Sequence, residues 1–414
     1  MTPRPPNLPT TTLLLTFLTL TLTVPRLHGE VVMMEDDHGA LHINTSEPAL
    51  QTVFVNGVDV VEELATLRAS FSAQARALAE QEARNDILNS RLCAIGVPPR
   101  ADATTIAGVG TARSDWIGGV LASNGLIYGI PYVSGSVLII DPATNTADTT
   151  SISGLPEAGS KWAGGVLADN GLIYGFPESA TSVLIIDPRA NTVDTSTLGG
   201  LSSGEGGGKW RSGVVASNGL IYGIPWGVSP VLIVDPANNT TDTTSIPPPG
   251  DSCCNWYGGV LADNNLIYSV PHNSEAVLII DPATNTADTT SIAGLTGFSK
   301  WYGTVLAGNG LIYGIPASET TVLVINPATN TADKTTITGL PGNDFKWLGG
   351  VLAPDGRIFG IPLSAESVLI VHPTANTSDT TSLPASAGSI KWHDGVLAGN
   401  GLISTDVLII DPGC

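Results

Sequence analysis

The sequence predicts an all-β repeat protein, and three observations carry that reading. The first is a period: Trp116, Trp162, Trp210, Trp256, Trp301, Trp347 and Trp392 follow one another at 46, 48, 46, 45, 46 and 45 residues. The second is that each interval divides into four strand-length segments separated by turn residues. The third is a displaced piece. The last copy stops at Asp411-Pro412-Gly413-Cys414 without its fourth segment, while Ala101–Gly108 matches Ala287–Gly294 almost residue for residue. Stacked units of this length with four strands each are propeller blades. The expected fold is a seven-bladed β-propeller of four-stranded antiparallel blades over residues 101–414, closed by an N-terminal strand. Closure removes the free sheet edge that would otherwise template aggregation.

Each segment has a local reason. Strand A runs from the tryptophan through a glycine pair, as in Trp116–Ala122, and glycine suits a place where backbones approach closely. Asn124-Gly125 and its copies mark a tight hairpin, expected as a two-residue type I′ turn. Strand B is Leu-Ile-Tyr-Gly-Ile-Pro, and strand C, Val-Leu-Ile-Ile, is apolar throughout, as a strand buried on both faces should be. Asp-Pro opens the next turn. Strand D, Ala-Asp-Thr-Thr-Ser-Ile, is polar and fits an outer position. The tryptophans and the strand B tyrosines are expected as core packing between blades.

The course Ile127-Tyr128-Gly129 followed by Val137-Leu138-Ile139-Ile140-Asp141-Pro142-Ala143-Thr144-Asn145-Thr146 resembles the kelch-type propeller repeat. The resemblance covers residues 101–414. It departs in one place: the kelch double glycine after strand B is Gly-Ile-Pro here, and the pair sits in strand A. The resemblance implies a propeller scaffold. The Tyr, His and Cys constellation of kelch-like copper oxidases is not found on these positions, so no cofactor is expected.

Ahead of the repeats, residues 1–29 read as a secretory signal peptide, with Arg4 before a short apolar run from Leu13 to Val24. That run is too short to span a bilayer comfortably, so secretion is expected over a signal anchor, with no membrane insertion after cleavage. Residues 30–59 hold short strand-like pieces. In residues 60–96, Leu64, Phe71, Leu78, Asn85 and Leu92 recur as position a of a heptad, with Val60, Leu67, Leu88 and Ile95 at d. This is expected as a coiled-coil oligomerisation helix, self-associating through residues 60–95. Sequons at Asn44, Asn238, Asn239 and Asn376 are candidates for glycosylation. Cys93, Cys253, Cys254 and Cys414 are the disulfide candidates: Cys93 with Cys414 across the seam or with its twin in a coiled coil, and Cys253 with Cys254 as a vicinal pair.

Charge bounds the partners. The chain has 37 acidic against 17 basic residues, a net charge of −20, which excludes nucleic acid as a natural partner. The aspartates Asp141, Asp187, Asp235, Asp281 and Asp411 are explained by turn chemistry, so no metal is expected. His272, His372 and His393 have no ligand spacing, and no nucleophile–base signature stands out, so no catalytic residue is assigned. The B–C and D–A loops vary between copies and lie on one face, where a rigid scaffold places recognition. Tyr132, Trp226, His272, Lys209 and Arg211 are the candidate ligand-binding residues. The expected role is a secreted multivalent binding module for an extracellular glycan or protein. The alternatives are a secreted enzyme with its site in the central channel, and a structural matrix or wall component.

Overall fold

A computed structural model describes residues 98–106, 109 and 114–413, except 158, 204–207, 228, 251, 386–391 and 405–407. It further describes residues 31–35, 41–45, 54–55, 58–59, 66, 68–70 and 73–74. The chain divides into two compact units, Met1–Ile95 and Gly96–Cys414. In the first, Val31–Glu35 pairs antiparallel with Leu41–Thr45, and Phe54–Val55 with Val58–Asp59. Thr66, Arg68, Ala69, Ser70, Ala73 and Gln74 are helical and exposed. The expected leader, most of the heptad segment, Cys93 and Cys414 lie outside the described residues.

In the second unit six blades are each built from consecutive strands in the order A-B-C-D. Blade 1 is Trp116–Leu121, Ile127–Pro131, Leu138–Asp141 and Thr146–Asp148. Blades 2 to 6 repeat it from Trp162, Trp210, Trp256, Trp301 and Trp347. The expectation of a seven-bladed propeller is corrected at the last copy, which does not form a blade of its own. Its strands shrink to Val396–Leu397, Ile403–Ser404 and Ile409–Asp411, because the Tyr-Gly-Ile-Pro segment is missing there. This remnant becomes a four-stranded sheet only by taking in Arg100–Asp102 from the front of the unit. Ile409 pairs with Asp102, Ile410 with Ala101 and Asp411 with Arg100.

The glycines of strand A set the innermost packing. The register slips at each pair, as between Trp116 and Gly119, leaving a bulge at Gly118 with φ of 78°. A Cβ there would lie 2.8 Å from the Gly164 Cα of the next blade, and one at Gly303 would lie 2.7 Å from the Gly349 Cα. Adjacent A strands therefore meet backbone to backbone, closer than any side chain permits.

Between blades the repeated aromatic residues do the packing. Tyr128, Ile130 and Ile139 of blade 1 share a layer with Trp162, Ile173 and Leu184 of blade 2. The composite sheet joins one such layer with blade 6 through Trp392 and Ile410, and another with blade 1 through Ala398 and Ile409. In all six blades the opening tryptophan's indole donates to a carbonyl 20 residues on, as Trp162 Nε1 does to Ser182 O at 2.8 Å. Most blades are also tied to the Asp-Pro turn of the next. Asn124 Nδ2 donates to Pro188 O at 3.2 Å, and Tyr128 OH donates to the same oxygen at 3.2 Å. In blade 6 Arg357 Nη2 takes this role toward Pro412 O at 2.6 Å, and Asn400 Nδ2 of the composite sheet reaches Pro142 O of blade 1 at 2.9 Å.

The A–B hairpin corrects one expectation. Ala122 N bonds Leu126 O at 2.9 Å and Gly125 N bonds Ala122 O at 3.0 Å. Of the turn residues only Gly125 has positive φ, 82°. This is a three-residue loop, a type I turn closed by a left-handed bulge residue, rather than type I′. Asn124 does not need positive φ, because its Oδ1 instead accepts Leu126 N at 3.1 Å.

After strand D an aspartate ends each blade by accepting from the residues two and three positions on, as Asp148 does from Thr150 N at 2.7 Å and Ser151 N at 3.1 Å. Asp102 does the same from Thr104 N at 2.7 Å. The transferred strand thus carries the same terminator as the native ones. It also brings Ile106, 3% exposed, into the layer against Trp116. A chain beginning at residue 107 is expected to lose at least about 3 kcal/mol relative to one beginning at residue 98, through the emptied Ile106 site and the lost pairing. Chemical denaturation of the two chains measures the difference. Equal midpoints would show that the strand is dispensable for closure.

Candidate functional site

Two positions in the repeat change chemistry from blade to blade while their neighbours stay constant. One follows the tryptophan in strand A: Ile117, Ala163, Arg211, Tyr257, Tyr302, Leu348 and His393. The other follows the proline that ends strand B: Tyr132, Glu178, Trp226, His272, Ala317 and Leu363. Because Trp116 pairs with Pro131 and the other blades share that register, both positions sit at the same end of their hairpins. They form the mouth of the channel enclosed by the A strands.

Blades 2 to 5 place the reactive side chains in one cluster. The Trp226 ring lies 4.9 Å from His272, 5.6 Å from Tyr302 and 6.0 Å from Tyr257, centroid to centroid. Tyr257 and Tyr302 are 3.7 Å apart. The Arg211 guanidinium carbon sits 4.5 Å over the Trp226 ring, a cation–π contact. Arg211 Nη2 makes a charged hydrogen bond to Glu178 Oε1, and Arg211 Nη1 lies 3.4 Å from Tyr302 OH. Tyr132 OH donates to the same Glu178 oxygen at 3.4 Å. Tyr132, Trp226, His272 and Arg211, chosen from sequence, are thus brought together.

Their burial decides their charge. Glu178 and His272 are each only 3% exposed. Burial raises the Glu178 carboxyl, against the opposing pull of Arg211. Burial pushes His272 down to about 4, so the imidazole is neutral near pH 7. Its Nδ1 lies 3.1 Å from Cys254 O, which can only accept, so Nδ1 carries the proton and Nε2 is an acceptor. Burial also lifts the Tyr302 phenol to about 12. Four buried side-chain polar atoms among the described residues have no hydrogen-bond partner, and three belong here: Glu178 Oε2, Arg211 Nε and His272 Nε2.

Below the cluster the channel holds a cavity of 190 Å³, lined by the glycine pairs together with Arg211, Tyr257 and Asp394. Asp394 occupies the slot where Gly118, Gly164, Gly258 and Gly349 have positive φ, and it adopts φ of 65° itself. Such a backbone is costly for a residue with a Cβ and is a mark of a constrained site. Burial raises its carboxyl to about 6. The adjacent His393, with Nε2 3.4 Å from Ser114 Oγ, is held down to about 4 by burial and by Arg211.

Lys209 is corrected from ligand contact to support. It is 1% exposed and donates through Nζ to Glu178 O at 3.2 Å and Ala180 O at 2.8 Å. Lys161, Lys300 and Lys346 make the same bonds to the B–C loop of the preceding blade, so the lysine is a repeated loop clamp. Trp226 is 5% exposed and serves as the centre of the cluster rather than an open platform. Cys253 and Cys254 are free, with sulfurs 2.7 Å apart, and Cys254 packs against the aromatic cluster. Glu178, Tyr257, Tyr302, Asp394 and His393 also belong to the site, although the variable loops alone do not single them out. Comparing the copies column by column would have found them.

No protein-family model matches the chain, and no curated protein matches it. Among solved structures it is similar to a streptogramin B lyase: 10% identity, TM-score 0.57, covering 73% of this chain and 94% of that one. Virginiamycin B lyase from Staphylococcus aureus is similar at 9% identity and TM-score 0.58, covering 75% of this chain and 97% of that one. The extracellular domain of a hybrid two-component system from B. thetaiotaomicron is similar at 9% identity and TM-score 0.53, covering 73% of this chain and 41% of that one. At this identity the likeness concerns the fold alone. The fold is a β-propeller. The kelch resemblance extends to this architecture and is not supported by any family match.

The buried histidine gives a pH prediction. Its folded pKa lies below the ordinary 6.5, so unfolded chains take up a proton on acidification before folded ones do. The stability tied to neutral His272 is complete above pH 6.5 and is lost as pH falls towards 4, up to about 3 kcal/mol. Asp394, raised to about 6, has the opposite sign: its unfavourable burial is relieved as pH falls. Denaturation of the protein and of His272→Phe across pH 4 to 7 should therefore show a smaller acid loss in the variant. Parallel profiles would mean that His272 titrates normally.

Proposed function

We propose that the protein binds a small polar ligand at the channel mouth, the composite sheet serving as the seventh blade of the ring. The observation that carries this is the convergence of three unpartnered buried polar atoms, Glu178 Oε2, Arg211 Nε and His272 Nε2, on one aromatic cluster. Folded proteins rarely leave buried polar atoms unpaired, and a cluster of three points to a partner supplied from outside. A thermal-shift screen of sugars, nucleosides, amino acids and organic acids tests it. At least one class should raise the melting temperature of the protein, and Trp226→Leu should abolish the shift. A screen without any shift, or shifts unchanged in Trp226→Leu, would reject a mouth site.

Catalysis is the second reading. It is favoured by a neutral imidazole and a carboxyl held near 6 at the two levels of one channel. Some propellers of similar fold are lyases, which makes a bond-cleaving activity the first to assay. Consumption of a ligand found in the screen, lost in His272→Phe, would convert the binding reading into this one.

The setting we propose is extracellular. Residues 1–29 direct secretion, and residues 60–96 self-associate so that several mouths are displayed together. No helix among the described residues is long and apolar enough to cross a membrane. Among solved neighbours are extracellular domains. Asn238, Asn239 and Asn376 are exposed in C–D turns, on the face away from the mouth, where glycans would leave it open. Sedimentation of residues 30–414 should give an oligomer and of residues 98–414 a monomer. A monomeric longer chain would remove multivalency from the proposal.

A further inference from the structure

Resting on the mouth site just proposed, we infer that its ligand is a neutral sugar residue, stacked on Phe345 with its hydroxyls completing Glu178, Arg211 and His272. The first argument is the hydrogen-bond inventory. Glu178 Oε2 and His272 Nε2 are acceptors without donors, and Arg211 Nε is a donor without an acceptor. A cation satisfies the first two but is repelled by Arg211. An anion satisfies the third but is repelled by Glu178 and finds no donor in the neutral imidazole. A flat apolar ligand leaves all three unpaired. A hydroxyl both donates and accepts, so a vicinal polyol satisfies the set without a net charge, whichever protonation state Glu178 holds. The three groups belong to one cluster. Arg211 is bonded to Glu178, and the Trp226 ring separates Arg211 from His272 by contacts of 4.5 and 4.9 Å.

The second argument is independent of those atoms. The residue two before the tryptophan has left-handed backbone in several blades and is small there: Ser114 at φ 66°, Gly208 at 84° and Ser299 at 51°. Blade 6 places Phe345 in this slot at φ 50°, although a bulky aromatic residue is poorly suited to it. Core packing does not account for that cost, because Phe345 is 42% exposed. Its exposed ring lies 6.3 Å from the His272 ring at 31°. Exposed rings beside convergent polar groups suit a pyranose, whose C–H face is apolar while its rim carries hydroxyls.

The test is ligand-observed NMR and calorimetry on the chain from residue 30, with D-glucose, D-galactose, D-mannose and N-acetylglucosamine as probes. Glucuronate and glucosamine provide the charged counterparts. At least one neutral sugar should bind. Phe345→Ser, the residue found at the same slot in blades 1 and 5, should fold as the parent and bind it about tenfold more weakly or worse. Glu178→Gln keeps the shape and should weaken it further. Binding of only charged sugars, or neutral-sugar affinity unchanged in Phe345→Ser, would overturn the inference. If no sugar binds while another class gives a Trp226-dependent shift, the sugar inference fails and the mouth site survives. If nothing binds, both fail.

Discussion

The structure depends on the close approach of backbones around the axis. With Gly118, Gly164, Gly258, Gly303 and Gly349 at positive φ, neighbouring A strands touch at distances that exclude a Cβ. That packing brings tryptophan and tyrosine into the wedge between blades, where Trp301 and Tyr313 are fully buried. It also leaves the axial cavity lined mainly by glycines, with Arg211, Tyr257 and Asp394 among the side chains that reach it. A larger residue at the pair would have to push two blades apart, and the strain would pass to both interfaces of the ring. The sites that break the rule are therefore informative. Asp394 is accommodated against Gly349, whose missing side chain is the space that its carboxyl fills.

The opposite ends of the blades are held by different means. On one face, Asn124 and Tyr128, and their copies in most blades, tie the A–B turn to the Asp-Pro turn of the next blade. The residues in those turns are therefore fixed twice, by their own hairpin and by a neighbour. Where blade 6 departs, replacing Asn and Tyr by Asp355 and Phe359, Arg357 restores the bond to Pro412. On the other face the buried lysine holds the preceding B–C loop by its carbonyls, as Lys209 holds Glu178 O. Main-chain clamping leaves the loop side chains free to differ. That asymmetry explains why sequence variation gathers on one face.

Much of this was legible in the sequence because each blade repeats the same physical problem. The tryptophan period placed every strand A, and the match of Ala101–Gly108 to a strand D placed the closing strand against Ile409–Asp411. Legibility failed where one residue type serves two geometries. Asn-Gly fits both a type I′ turn and the bulge that closes a three-residue loop, and the side-chain bond from Asn124 to Leu126 chose the second. Lys209 beside Trp210 reads equally as a surface cation and as a loop clamp, since the carbonyls it meets lie about thirty residues away in the chain. Tyr132, Trp226 and His272 were recognisable as exceptions to the repeat. Their partner Glu178 was not, because a lone glutamate in a variable loop looks like solvated surface until Arg211 is placed against it.

A repeated frame has one disadvantage for chemistry: equal blades present equal groups, and a ring of like charges around a channel would repel itself. This chain avoids that by concentrating its exceptions. Arg211, Tyr257 and Tyr302 follow the tryptophan in three consecutive blades, while Ile117, Ala163 and Leu348 keep the other side apolar. Glu178, Trp226 and His272 follow the strand B proline in blades 2, 3 and 4. Because blade n packs its strand B end against strand A of blade n+1, the two series interlock with a one-blade offset. Glu178 of blade 2 thereby meets Arg211 of blade 3, and Trp226 of blade 3 meets Tyr257 of blade 4. Opposite charges and stacked rings are brought into register by the period alone. Most of the polar exceptions therefore fall in consecutive blades, and three of the unpaired atoms among the described residues belong to one cluster.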